Sequence, residues 1–425
     1  MRRIIFGGIL VSLLGMNSNF AFARQPQIIN VEGRKCMTLN GYWKYLVDPY
    51  QTGYYDYRLN VRDQQAYQNT SEAVYLGYKA QDPSERVEYD FNKADDLIVP
   101  RDWNSQKEKL FYYEGAVWYY KRFDCQPPEN GNRLFIHFGA ANYRAHVYLN
   151  GEKLGTHTGG FTPFNFEITG KVRPDGNVVI VMVDNTRGRD EVPTVNTDWW
   201  NYGGLTRDVR IIEVPDTFIR DYFIQLSLDD KESVDVSVTL DGKNKAGQTV
   251  RTEIPEAKIN AVCTTDDQGI AVARVKARGL KYWNPVKPYL YEVNIIHLGS
   301  VLTDRIGFRT LKTEGTEILL NGKPVIVSEF GADALQELHG SREARWTEEF
   351  QEHLYAETVS MLEKIPQLRG VKPCILTDFR SPRRLLPGIQ DGWNRKGLVS
   401  QTGDKKKAFY VLRDFYKMKE RQFDR

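Results

Sequence analysis

The 425-residue sequence contains few cysteines, histidines and methionines: four, six and six, respectively. The cysteines Cys36, Cys125, Cys263 and Cys374 lie far apart, and neither they nor the histidines have metal-ligand spacing. We therefore expect four free thiols and no bound metal. Lysine and arginine (58) nearly balance aspartate and glutamate (55), which gives no electrostatic reason to expect a nucleic-acid partner. The sequence has no phosphate-binding loop and no dinucleotide fingerprint, so it predicts no cofactor.

Long apolar runs are also absent, apart from one at the amino terminus. Two arginines precede an apolar stretch over residues 4–14, and residues 21–23 (AFA) form a small-x-small cleavage site. That order is typical of a secretory signal peptide. The run is too short to span a bilayer comfortably. We expect a periplasmic or secreted protein, cleaved after Ala23, with no membrane association after cleavage.

Aromatic residues are plentiful, with 24 tyrosines, 20 phenylalanines and 8 tryptophans. Strands favour aromatic and β-branched residues, and the 34 glycines and 18 prolines supply turns. The composition therefore indicates a mainly β protein. Aromatic faces also suit sugars, although a sandwich core explains most of them equally well.

Hydrophobic patterning divides the mature chain into three blocks. Up to about residue 215, short apolar or alternating strands follow one another, with a hairpin turn at Asn150-Gly151. A second strand-rich block, 216–312, fits an immunoglobulin-like sandwich without a cysteine pair. The predicted strands in these blocks are 134–138, 145–149, 178–183, 234–240, 270–275 and 289–298.

The third block, from residue 313, changes period. Residues 318–320 and 324–327 are β-like, and Asn321-Gly322 forms the turn between them. Residues 374–376 are another strand candidate. Helical spacing is visible for Phe350, Leu354, Met361, Leu362 and Ile365, and again over 409–416. The lysine run 405–407 is predicted to open the last helix as a solvated face. The order strand–helix–strand–helix indicates an α/β unit.

One carboxylate in this block has a position suited to chemistry. Glu329 ends a buried apolar strand and is followed by Gly331. Residues at the carboxyl ends of strands in α/β folds point into ligand crevices. A carboxylate held there can act as the nucleophile of glycosyl transfer, or it can form an ion pair at a strand end. Spacing alone leaves both interpretations open.

Short motifs along nearly the whole mature chain extend this observation. They lie at residues 40–43 (NGYW), 48–49 (DP), 99–100 (VP), 102–103 (DW), 113–115 (YEG), 118–119 (WY), 198–204 (DWWNYGG), 207–209 (RDV), 307–309 (GFR), 320–324 (LNGKP), 327–333 (VSEFGAD), 338–339 (LH), 346–349 (WTEE), 377–382 (TDFRSP) and 394–397 (NRKG). Together these motifs resemble the glycoside hydrolases of family 2, and most closely the β-glucuronidase branch.

The resemblance implies a function and residue roles. It implies retaining hydrolysis of a terminal β-glycoside, favouring β-glucuronides, with Glu329 as nucleophile. Asn394 and Lys396 match the Asn-x-Lys pair that binds a uronate carboxylate in the family. An amide and a fixed ammonium are suited to bind a carboxylate. Asp198 matches the acid that reaches from the sugar-binding domain to bind sugar hydroxyls. The implied partner is therefore a carbohydrate, a β-glycoside that bears a uronate.

The sequence departs from the family pattern within the third block. In the family, a strand with a His-Glu pair follows the LNGKP-like segment. Several (β/α) units come next, including the Asn-Glu pair that supplies the general acid/base. Here Val325 runs straight into residues 326–329, so roughly six of the eight units of a (β/α)8 barrel are missing. Cys374 also stands where the family usually has a tryptophan that lines the sugar site.

These observations predict a multidomain, mainly β protein. Residues 1–23 form the signal peptide, 24–215 a jelly-roll-like sugar-binding sandwich, 216–312 an immunoglobulin-like sandwich, and 313–425 an incomplete α/β domain derived from a TIM barrel. Two alternatives to a hydrolase remain: a non-catalytic carbohydrate-binding or interaction protein, and a non-functional fragment. Open strand edges in the third block would need cover from an oligomeric partner.

Overall fold

The structure is a computed structural model of the chain. The structure describes residues 26–55, 57–61, 90–195, 197–284, 287–315, 317–324, 329–364 and 370–423. The predicted signal peptide lies outside the described residues, as do the junction at 325–328 and Ile365. Within the described ranges, neither helix combines the length and apolar character needed to cross a membrane.

The first block is a sandwich of a six-stranded and a four-stranded antiparallel sheet. The sheet orders are β3-β2-β4-β9-β6-β7 and β1-β10-β5-β8. The strands are β1 Cys36–Thr38, β2 Gly41–Asp48, β3 Asp96–Val99, β4 Ala116–Phe123, β5 Arg133–Phe138, β6 Arg144–Leu149, β7 Glu152–Thr158, β8 Phe164–Glu167, β9 Asn177–Asp184 and β10 Val209–Val214.

The sequence patterns explain this sandwich. Strand β9 lies between β4 and β6, and all eight of its residues are buried, as its continuous apolar run predicts. Asn150 and Gly151 connect β6 to β7 with φ values of 52° and 90°, the left-handed pair of a type I′ turn. Between the sheets, Trp43, Trp103 and Tyr119 are fully buried and form the centre of the core.

The second block is a sandwich of three and four antiparallel strands. The orders are β11-β12-β15 and β14-β13-β16-β17. The strands are β11 Phe218–Leu226, β12 Ser233–Asp241, β13 Thr249–Ile254, β14 Ile259–Thr264, β15 Ile270–Lys276, β16 Tyr291–His297 and β17 Ser300–Ile306. In β12 the side chains alternate between buried and partly exposed, which confirms the strand predicted from its strict alternation.

The third block is small and contains both helices. Its elements are β18 Leu311–Glu314, β19 Glu317–Leu320, β20 Lys323–Pro324, β21 Glu329–Phe330, α1 Glu348–Leu362, β22 Lys372–Pro373, β23 Phe379–Arg380, β24 Trp393–Asn394 and α2 Lys407–Phe423. Strands β21 and β22 pair in parallel on either side of α1 in the chain, and α2 follows. The predicted α/β order is therefore confirmed. Tyr355 of α1 and Leu412 and Phe415 of α2 form its core.

One local prediction in this block is wrong. Residues 374–376 do not form a strand, because β22 ends at Pro373 and the backbone groups of Ile375 and Leu376 bond to the loop at 396–399. The helix predicted from the spacing of Phe350, Leu354, Met361 and Leu362 is confirmed as α1, although its buried side is partly polar. Met361 is 55% exposed, whereas the polar Gln351 and Glu348 are buried because their side chains bond to neighbouring loops.

The lysine run is also placed differently from the prediction. Lys405 is exposed, as expected, but Lys406 is completely buried. Its ammonium lies 2.8 Å from a carboxylate oxygen of Asp378, which is why a lysine can occupy the interior there. The prediction of a solvated face is therefore wrong for the middle lysine. All four cysteines are free.

Candidate active site

Asp198 reaches from the first sandwich into the third block. It lies in the long connection between β9 and β10. Its carboxylate accepts hydrogen bonds from Arg384 (2.6 Å from Nη2 and 3.0 Å from Nε), from the Ser381 hydroxyl (2.7 Å) and from the Asn394 amide (3.2 Å). The structure thus brings together two of the predicted site residues, Asp198 and Asn394.

The surroundings of Asp198 stabilise its charged form. Partial burial raises the pKa of the carboxyl, but the hydrogen bonds from Arg384 and Ser381 and the charge of Arg384 outweigh burial, so the pKa is lowered. Arg384 was not identified from the sequence, where it is one arginine in a polar loop with no local signal.

Asn394 is the last residue of β24, and Lys396 lies on the loop that follows this strand. Asn394 is buried, and its side-chain oxygen accepts a hydrogen bond from the backbone N–H of Lys396 at 3.0 Å. The Lys396 carbonyl in turn accepts a bond from Ile375 N–H at 3.3 Å. Asn394 therefore fixes the start of the loop that carries Lys396, while Lys396 itself stays partly exposed.

Glu329 is at the start of β21 and is exposed. Strand β21 pairs in parallel with β22, and Cys374 directly follows β22. Cys374 N–H donates a hydrogen bond to the Phe330 carbonyl of β21 at 2.8 Å. Burial raises the pKa of the Cys374 thiol and the neighbouring Glu329 carboxylate raises it further, whereas the ammonium of Lys396 acts in the opposite direction.

Asp333 links the two halves of the site. Its carboxylate accepts a hydrogen bond from Arg395 N–H at 3.1 Å. Its negative charge also contributes to raising the pKa of Arg384 and that of Cys374. Glu329, Lys396, Asn394 and Asp198 therefore belong to one neighbourhood, connected through Cys374, Asp333 and Arg384.

The other carboxylates of this neighbourhood already have partners in the described part of the chain. Asp198 is paired with Arg384, and Asp333 caps the backbone of Arg395. Asp378 is buried against Lys406 and Arg395. None of them is a partner-free acid facing Glu329. The sequence does not predict the pairing of Lys406 and Arg395 with Asp378, because the acceptors of these two side chains come from distant parts of the chain.

The structure defines a multidomain, mainly β protein, and comparison with known proteins agrees. The family model "Glycosyl hydrolases family 2, sugar binding domain" matches residues 37–215, and "Glycosyl hydrolases family 2" matches 217–309. The two models together match well over half of the chain. The chain belongs to glycosyl hydrolases family 2.

Its curated relatives carry two activity names. The chain is 28% identical to a β-galactosidase of Thermoanaerobacter pseudethanolicus over 58% of its length and 36% of that protein's. It is 27% identical to a β-glucuronidase of Paenibacillus borealis, over 57% and 45%, and 26% identical to the β-glucuronidase of Homo sapiens, over 68% and 47%. The chain thus spans about a third to a half of the length of these relatives.

Solved structures share the fold. The β-glucuronidase of Bifidobacterium dentium, complexed with coumarin-3-O-glucuronide, superposes with a TM-score of 0.71 at 18% identity, covering 92% of this chain and 97% of that one. A β-glucuronidase of an uncultured Clostridium species gives 0.69 at 16% identity, covering 93% and 100%. These likenesses agree with the mainly β, multidomain fold.

Proposed function

We propose that this protein recognises the non-reducing end of a β-glucuronide, and that Glu329 is placed to act as the nucleophile of retaining glycoside hydrolysis. The observation that carries the proposal is the Asn394–Asp198 hydrogen bond of 3.2 Å. It joins the acid of the sugar-binding sandwich to the Asn-x-Lys loop of the third block. Family membership and the β-glucuronidase relatives support the same substrate class.

The uronate preference rests on the chemistry of the loop. A sugar carboxylate needs donors and positive charge, and Lys396 supplies a partly exposed ammonium on a loop fixed by Asn394. Asp198 and the exposed carboxylate of Glu329 are acceptors suited to sugar hydroxyls. The mixture of one cation, one amide and carboxylates fits an acidic sugar better than a neutral one.

We further propose that hydrolysis by this chain is slow. A retaining hydrolase needs a second carboxyl group about 5–5.5 Å from the nucleophile, which protonates the leaving oxygen and later activates water. Among the described residues, the acids around Glu329 are held by Arg384, by the Arg395 backbone or by Lys406. Losing general acid–base help reduces the rate by about 10²–10⁴-fold.

Nitrophenyl β-glucuronide is the most favourable substrate for testing this proposal, because its leaving group needs little protonation. The purified protein and its Glu329→Gln variant are assayed together. We expect slow release of nitrophenol from the unmodified chain and less from the variant, which would establish the role of Glu329. Fast turnover that the variant abolishes would show that another acid completes the site. Equal rates in both would exclude Glu329 as nucleophile.

A second candidate function is carbohydrate binding without catalysis, and one structural feature favours it. Beside Asp198, the rings of Phe111, Tyr112 and Trp200 lie with centroids 4.8–5.4 Å apart, and Tyr112 is 79% exposed. Trp200 N–H donates to the Arg380 carbonyl at 3.2 Å, which attaches this cluster to the third block. Exposed aromatic rings next to polar groups are suited to bind the faces of sugars.

Two measurements separate these functions. A glycan-binding screen of the unmodified chain and of Tyr112→Ala tests the aromatic cluster, and binding with no turnover in any assay would favour the non-catalytic function. Size-exclusion chromatography tests the fragment alternative, because open strand edges promote aggregation. A single well-defined species would argue against a non-functional fragment, and its apparent mass would give the oligomeric state.

A further inference from the structure

A buried ion pair lies behind the candidate active site. The side chains of Asp378 and Lys406 are both completely inaccessible to solvent. The Lys406 ammonium donates three hydrogen bonds: to the Ala334 carbonyl at 2.6 Å, to Asp378 Oδ1 at 2.8 Å and to the Arg395 carbonyl at 3.0 Å. An ammonium has three protons to donate, so this group is fully satisfied.

Asp378 holds the Asn394–Lys396 loop from the other side. Its Oδ1 accepts a hydrogen bond from Gly397 N–H at 2.8 Å, and its Oδ2 lies 3.4 Å from the Arg395 guanidinium. The ion pair therefore grips both residues that flank Lys396: Arg395 through its carbonyl and side chain, and Gly397 through its N–H.

The same pair holds the segment that follows Glu329. Lys406 bonds to the Ala334 carbonyl, and Ala334 N–H donates to the Arg395 carbonyl at 3.0 Å. The Gln351 amide of α1 completes the connection, since it donates to the Ala332 carbonyl at 2.8 Å and to the Gly397 carbonyl at 3.2 Å. The loop after the nucleophile strand and the loop with Lys396 thus share one set of buried donors and acceptors.

Burying such a pair costs desolvation free energy. Burial lowers the pKa of Lys406 and raises that of Asp378, because it penalises both charged forms, and their mutual attraction opposes both shifts. A buried ion pair often stabilises a fold less than apolar residues of the same size would. The hydrogen bonds of the Asp378–Lys406 pair go to the two loops of the candidate site. We therefore expect the pair to affect the relative position of these loops.

We propose that Lys406 and Asp378 are positioning residues that fix the distance between Lys396 and Glu329, although their side chains are too deeply buried to meet solvent. The inference rests on the proposed recognition of a uronate by Lys396. Removing the pair should let the two loops move relative to each other. Binding of the acidic sugar should then weaken more than binding of a neutral sugar that does not need Lys396.

The chain offers a matched control for this test. Lys405 and Lys406 are adjacent lysines, one exposed and one buried, so Lys405→Met removes the same charge without touching the loops. Glucuronate and glucose binding are titrated with Lys406→Met, with Lys405→Met and with the double variant Asp378→Asn/Lys406→Met. The double variant removes both charges of the pair, and the Arg395 guanidinium keeps its hydrogen bonds to the Ile389 carbonyl and the Gln401 side chain, so this variant remains usable if Lys406→Met fails to fold.

We expect Lys406→Met, or the double variant, to reduce the preference for glucuronate over glucose by about tenfold, because misplacement by about 1 Å has large effects on site function. If the pair only stabilised the fold, its loss would weaken the binding of both sugars equally. A folded variant that keeps the full preference would overturn the inference, as would an equal loss in Lys405→Met.

Hydrogen–deuterium exchange separates this inference from the proposed function. In the protein without sugar, loss of the pair should speed exchange in segments 331–336 and 394–398 together, with little change in the first sandwich. If the unmodified chain shows no glucuronate preference, the proposed function fails, and the exchange result still decides the positioning role. Unchanged exchange in both segments would overturn it.

Discussion

Asp198 and Arg384 form a two-point ion pair between parts of the chain 186 residues apart. Arg384 Nη2 lies 2.6 Å from Asp198 Oδ2, and its Nε lies 3.0 Å from Oδ1. The same carboxylate accepts the Asn394 amide. The carboxylate of Asp198 therefore attaches this loop of the first sandwich to the third block, together with the bond from Trp200 N–H to the Arg380 carbonyl.

We predict that Arg384→Gln lowers the free energy of unfolding by about 1 kcal/mol at neutral pH, a typical value for a partly exposed ion pair. The effect should depend on pH. The pKa of Asp198 is lowered in the folded protein, so the stabilisation is complete above the unfolded value near 4 and is lost as the pH falls through the folded value. Denaturant unfolding at pH 7 and pH 3 measures this.

Arg383→Gln is the control for this prediction, since Arg383 is the exposed neighbour of Arg384. It should leave stability unchanged at both pH values. A difference between Arg384→Gln and the unmodified chain that is as large at pH 3 as at pH 7 would show that Arg384 acts through packing and not through the charge of Asp198.

Lys396→Ala should weaken the binding of glucuronate far more than that of glucose. The expected loss is about tenfold or more, because a charge-assisted hydrogen bond contributes about 1.5–3 kcal/mol. Isothermal titration with both sugars measures the difference, and the exposed Lys405→Ala is the matched control. Equal effects on the two sugars, or no glucuronate binding by the unmodified chain, would reject the uronate assignment.

Acid should destabilise the first sandwich. Burial lowers the pKa of His146 to about 3, with Lys153 and Arg144 adding to the effect, and burial also lowers the pKa of His137 to about 4. Below pH 6.5 these side chains take up protons only in the unfolded chain. Each therefore removes about 1.4 kcal/mol of stability per pH unit until its folded value is reached.

The histidine prediction is checked by unfolding the protein at a series of pH values between 7 and 4. In the variant His146→Gln, the free energy of unfolding should fall less steeply with decreasing pH. The slope should be smaller by the contribution of one histidine, about 1.4 kcal/mol per pH unit. A slope that is unchanged by the substitution would show that other groups control the acid response.

Gly203→Ala should destabilise the loop that carries Asp198. A Cβ at this glycine would lie 2.1 Å from Cζ2 of Trp103, which is completely buried in the first core. Overpacking of this kind costs about 1–3 kcal/mol. Gly340→Ala is the control, since its nearest neighbour is a methyl group of Thr347 at 3.1 Å. Thermal unfolding compares the two, and equal effects would contradict the predicted clash.

We propose that the protein is exported and cleaved after Ala23, because residues 1–23 have the charged, apolar and small-residue order of a signal peptide. Amino-terminal sequencing of the protein from the periplasm or medium should start at Arg24. Recovery of the chain from membranes with Met1 intact would reject the proposal.

The sequence alone determined several strands, the hairpin at Asn150-Gly151 and the family of this protein. The alternation in β12, the apolar run of β9 and the turn at Asn150-Gly151 depend on interactions between residues close in the chain, so each can be recognised from a few letters. Glu329, Asp198, Asn394 and Lys396 are predicted as site residues because each lies within a short motif that resembles the family, and their roles stay predictions.

Only the tertiary structure decided which polar side chains meet. Lys406 looks like its exposed neighbour Lys405 in the sequence, but its acceptors come from Ala334, Asp378 and Arg395, and no local pattern records them. Arg384 likewise finds its partner 186 residues away. Buried polar groups are stabilised by partners that the fold brings together, and the separation of those partners along the chain hides them from sequence periodicity.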